Sequence, residues 1–74
     1  MKPNGYEKGD DLMVGERIKA YLEENGITQT HLSNKTGIER VRMHLLLKGE
    51  RRMEVTEYFS ICDALNLPYD TFAR

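Results

Sequence analysis

The chain is punctuated by stops. Asn25-Gly26, Gly37, Gly49 and Asn66-Leu67-Pro68 recur along its length, and glycine and asparagine supply the left-handed conformation in which helices end. The stretches between them carry apolar residues three and four apart, and none alternates apolar with polar residues long enough for a strand. The sequence therefore predicts an all-α fold of five helices. Asp10 and Asp11 offer N-caps for the first, whose core side holds Val14, Ile18, Tyr21 and Leu22. Ile27-Thr28 opens the second, which Gly37 stops, and the third runs from Glu39 to Lys48. After the charged loop GERRME, a fourth helix aligns Val55, Tyr58, Phe59, Ile61, Cys62 and Leu65 and ends near Asn66. Pro68 suits the first turn of a short fifth helix containing Tyr69 and Phe72. The opening MKPNGYEKGD has no periodicity and reads as a flexible tail over residues 1–10, ahead of one domain over 11–74.

Several function classes drop out at once. A chain of 74 residues holds one core, with no separate effector or cleavage domain expected. No apolar run approaches the ~20 residues of a membrane span, and the N-terminus lacks a signal peptide's pattern, so a cytoplasmic protein with no membrane partner is expected. His31, His44 and Cys62 stand at no zinc-binding spacing, and Cys62 lies on an apolar helix face as a buried, inert thiol; no metal or cofactor is expected. There is no phosphate-binding glycine loop and no nucleophile with a placed base, so neither an enzyme nor a small-molecule substrate is expected.

Charge is distributed unevenly. The net charge is −1, yet residues 28–52 carry six basic side chains against two acidic, while the segments on either side are net acidic. The same block, TQTHLSNKTGIERVRMHLLLKG, holds two short helices joined at Gly37, the helix-turn-helix arrangement in which one helix enters the major groove and its predecessor braces it. Leu32 and the small Ser33 are expected to pack on Ile38, Met43 and Leu46 to form that brace.

Over about residues 14–72 the chain resembles the Cro/cI-type, lambda-repressor-like helix-turn-helix regulators. The likeness rests on Arg17-Ile18, Gly26-Ile27-Thr28-Gln29, Leu32, Gly37-Ile38, Met43, Leu46, Gly49, Ala64-Leu65-Asn66-Leu67 and Phe72. It implies a five-helix domain that binds duplex operator DNA as a homodimer, in the manner of minimal bacterial and phage repressors. It also implies a phosphate contact at Gln29 and base-reading positions at Arg40, Val41 and Leu45. Family members commonly bury an arginine–glutamate pair late in the first and third helices; both positions here are leucine, Leu22 and Leu47. Losing both partners together leaves no unpaired buried charge, and the two leucines are expected to be buried against each other.

Arg40 and Arg42 are the strongest base-contact candidates, because a guanidinium can hold guanine through two hydrogen bonds. His44 joins Val41 and Leu45 on the expected groove side, and Leu45, unable to hydrogen-bond, is suited to a thymine methyl. Lys35, Lys48, Arg51 and Arg52 are expected to contact phosphates, adding affinity without sequence preference. Tyr58, Tyr69 and Phe72 are the candidates for the homodimer interface. The acidic flanks, Glu39 and Leu45 keep open a protein-interaction module on the same fold, such as an antitoxin or adaptor.

Overall fold

The computed structural model describes residues 8–72 and contains four helices there: α1 (Lys8–Asn25), α2 (Gln29–Thr36), α3 (Arg40–Lys48) and α4 (Val55–Leu65). Most of the expected tail lies outside the described residues, but its last three positions, Lys8–Asp10, are the first turn of α1. Asp10 and Asp11 therefore stand inside the helix, past its first described residue.

Local chemistry accounts for the breaks. The Thr28 hydroxyl accepts the His31 N–H at 3.0 Å and caps α2, a contact worth about 1 kcal/mol. The turn into α3 is held by Thr36, whose hydroxyl donates to the Leu32 carbonyl at 2.9 Å and accepts the Ile38 N–H at 3.2 Å. Gly37, at φ 81°, supplies the left-handed residue this turn needs. Glu39 precedes α3 without a side-chain cap bond; its side chain is longer than those of the residues that cap best. Asn66, at φ 59°, closes α4 in the same left-handed conformation.

The helices enclose one core of Ile18, Leu22, Leu32, Met43, Leu47, Ile61, Cys62 and Phe72. Leu22 and Leu47, 2% and 0% exposed, both lie within it. Burial pushes the Cys62 thiol pKa up, which keeps it protonated and unreactive. α1 packs along α3, and the two backbones come close at Gly15: a Cβ there would stand 1.9 Å from the Leu46 carbonyl oxygen. A glycine in mid-helix is normally a cost of about 1 kcal/mol; here its missing side chain permits the crossing. Ser33 is buried as the brace requires, but its hydroxyl has no hydrogen-bond partner among the described residues.

No fifth helix stands among the described residues. Residues 68–71 form one turn, closed by the Thr71 N–H on the Pro68 carbonyl at 3.1 Å. Tertiary contacts claim the segment instead. Phe72 is 5% exposed, meets Tyr21 edge-on at 5.7 Å, donates its N–H to the Tyr58 hydroxyl at 3.3 Å and receives Arg17 Nη1 on its carbonyl at 3.4 Å. These contacts fix Phe72 against α1 and leave too few residues for a helical nucleus.

Candidate nucleic-acid interface

α3 has an inner and an outer face because each residue advances about 100° around the axis. Met43, Leu46 and Leu47 point inward and are buried. On the opposite side Val41 is 67% exposed, flanked by the exposed Arg40, His44 and Lys48, with Leu45 half-buried one turn beyond. The buried positions of α2 are Leu32 and Ser33, so α2 braces α3 from behind. The result is a short helix held by its neighbours along one face and open along the other.

Arg40 has no ion-pair or hydrogen-bond partner among the described residues, so its guanidinium is available to a ligand. Arg42 is placed differently. Its Nη2 donates to Glu57 Oε1 at 2.9 Å and its Nε to the other carboxylate oxygen, a two-bond pair that ties α3 to the start of α4. The same Glu57 carboxylate accepts the Glu54 N–H at 2.9 Å. The Arg42 guanidinium holds the Glu57 carboxyl below the usual carboxylate range, with burial opposing the shift and the Glu54 N–H assisting it. The Glu57 hydrogen bonds in turn raise the Arg42 pKa. Arg42, expected to read a base, has its donor fork on a carboxylate from α4 in the free protein.

The expected phosphate contacts surround the two-helix unit. Gln29 is half-buried at the first position of α2, while Lys35, Arg51 and Arg52 are exposed. Lys48 lies 3.3 Å from Glu50, a solvent-exposed pair that is worth little and readily exchanged for another anion.

The expected dimer residues separate into surface and core. Phe72 belongs to the core and offers no face to a partner. Tyr58 is half-buried, its hydroxyl spent on the Tyr69 carbonyl. Tyr69 is 47% exposed and stacks on Phe59 with ring centres 4.5 Å apart, and Phe59 and Val55 are themselves 41% and 65% exposed. The apolar set on α4 is therefore two faces: Tyr58, Ile61, Cys62 and Leu65 pack toward the core, whereas Val55 and Phe59, four residues apart, point outward together. Neither Glu57 nor Phe59 emerges as a site residue from periodicity. The Glu-x-x-Glu spacing of Glu54 and Glu57 at a helix start is the one local signal for the former.

No helix among the described residues is long and apolar enough to cross a membrane. Residues 17–72, well over half of the chain, match the family model of the Cro/C1-type HTH DNA-binding domain. Curated proteins give no match to the sequence.

Proposed function

The chain belongs to the Cro/C1-type helix-turn-helix DNA-binding domains, and from that premise we propose that it is a sequence-specific, repressor-like regulator of transcription that occupies an operator as a homodimer. The observation that carries this reading is the bare outer face of α3. Arg40, Val41 and His44 are exposed at its N-terminal half while the opposite face is locked in the core. A helix braced from behind and free in front is the geometry that enters a major groove.

In this reading Arg40 holds a guanine edge. Gln29, Lys35, Lys48, Arg51 and Arg52 meet phosphates on either side, and the Lys48–Glu50 pair opens as the phosphate arrives. Two copies meet through the outward Val55–Phe59–Tyr69 surface, setting half-sites about one helical turn apart. Arg42 holds α3 at its angle to α4 and reads no base. The protein acts in the compartment that holds the DNA, and no catalytic step enters.

The test is binding of the wild-type chain and its variants to preferred and scrambled duplexes across a salt series. Arg40→Ala is expected to cost about 1–3 kcal/mol on the preferred duplex and relax the choice at one base pair. Lys48→Ala and Arg51→Ala are expected to weaken all duplexes alike, each reducing the salt slope by about one. Binding that is absent, or indifferent to salt, rejects the DNA reading and favours a protein-interaction module on the same fold.

A further inference from the structure

The centre of the outer α3 face is apolar. Val41 is 67% exposed, and Leu45, one turn later, is half-buried on the same side. The polar groups stand to either side of this pair: Arg40 and His44 along one flank, and Arg42, turned away onto Glu57, along the other. A β-branched side chain 67% exposed on a short helix gains nothing in the folded protein. Its value lies in what it meets.

The surroundings limit what that is. Arg40, His44 and Lys48 of the same helix are exposed beside the stripe, and of the two acids in this part of the chain Glu50 is paired with Lys48 while Glu39 is exposed ahead of Arg40. The stripe therefore faces an anionic surface that also carries small apolar groups. On the floor of the major groove every edge offers hydrogen-bond donors or acceptors, and the apolar exception in unmodified DNA is the C5-methyl of thymine. Seating Val41 against a bare cytosine or guanine edge would cover polar atoms with nothing to bond them, a net cost. Seating it against a thymine methyl removes apolar surface from both partners.

We propose that Val41, supported by Leu45, is a specificity-determining residue that reads thymine in the operator through its 5-methyl group. This rests on the DNA-binding reading above and adds to it the base and the atom recognised. Arg40 then fixes a neighbouring guanine, so that each half-site is read by one charged and one apolar contact.

The test uses duplexes selected by the full chain from a random-sequence pool. These are resynthesised with deoxyuridine for thymidine at one position at a time, which deletes the methyl and leaves every hydrogen-bonding group in place. At one or two positions per half-site the substitution is expected to weaken binding about fourfold, the effect of unburying one methyl group; other positions do not respond. Val41→Ala, at an exposed site where alanine suits a helix, keeps the far-UV circular dichroism of the wild type and narrows the difference between the thymidine and deoxyuridine duplexes. Arg40→Ala weakens both and preserves their ratio. If wild-type protein binds in a salt-dependent manner yet no thymine responds to loss of its methyl, methyl reading is wrong and DNA binding stands. A ratio unchanged in Val41→Ala overturns the assignment to this residue. Failure of the wild type to bind any duplex at low salt overturns this inference together with the DNA reading.

Discussion

Gly15→Ala reverses the sign of an ordinary helix substitution. At an open position in mid-helix, replacing glycine by alanine stabilises by about 1 kcal/mol, because alanine loses less backbone entropy on folding. At Gly15 the new methyl carbon would stand 1.9 Å from the Leu46 carbonyl oxygen, where real contacts essentially never fall below 3.0 Å. The obstacle is backbone, so no side-chain rotation relieves it; α1 and α3 must part by about 1 Å. That separation loosens Ile18 and Leu22 against Met43 and Leu47, at a cost of about 1–3 kcal/mol or more for an overfilled core. The clash also reaches the end of α3, since Leu46 O accepts the Gly49 N–H at 3.2 Å. Setting the propensity gain against the upper part of that range leaves a net loss of about 2 kcal/mol. For a domain of this size it lowers Tm by about 8–16 °C. Thermal and urea unfolding followed by circular dichroism measure it, with Ala20→Gly, at an exposed position of the same helix, calibrating the propensity contribution at about 1 kcal/mol. A Gly15→Ala protein as stable as wild type, or more so, refutes the close packing of α1 on α3.

Three further outcomes are expected. Ser33→Ala removes a buried hydroxyl that has no partner among the described residues, so it is neutral or stabilising by about 1 kcal/mol in urea denaturation; a clear loss shows that the hydroxyl is bonded. Glu57→Gln removes a carboxylate whose pKa is lowered on folding, so its contribution is present above the unfolded value of about 4.3 and is lost as pH falls through the lower folded value. The variant should be less stable than wild type at neutral pH by about 1 kcal/mol, and the gap should close below about pH 4; a gap constant across pH excludes the carboxylate as its source. Phe59→Ala combined with Tyr69→Ala should convert a dimer to monomers in sedimentation equilibrium without unfolding them, whereas a wild type that is monomeric at all concentrations, free and on DNA, removes this surface as the interface.

What was legible in the sequence was local. Thr28, Gly37, Gly49 and Asn66 punctuate the chain through their own backbone and side-chain chemistry, and each occupies the place expected of it. The burial of Leu22 with Leu47 was also legible, because a buried ion pair is replaced safely only at both ends. The remainder depends on contacts between distant residues. Arg42 and Glu57 are 15 positions apart, and nothing in the pattern of either helix pairs them. A glycine at position 15 hints at a close approach, but the partner backbone at Leu46 is set by how two helices cross. Val55 and Phe59 continue an apolar periodicity, and on a helix of 11 residues such a set fits an inner or an outer face equally. No fifth helix stands among the described residues: Pro68 favours a helical start, but Phe72 is drawn into the core only a few residues later.

The exposure of Arg40, Val41 and His44 bears on how such a domain diverges. None of the three belongs to the buried core, so substitutions there are nearly free of the stability threshold that constrains the rest of a small domain. Target preference can therefore drift at these positions while the scaffold stays fixed. Arg42 is the exception on the same helix: its donor fork joins α3 to α4, and replacing it disturbs the scaffold along with anything it touches. A library varied at 40, 41 and 44 but held at 42 should yield folded proteins with altered DNA preference, whereas one that also varies 42 should show modestly lowered stability in members that lose the pair with Glu57.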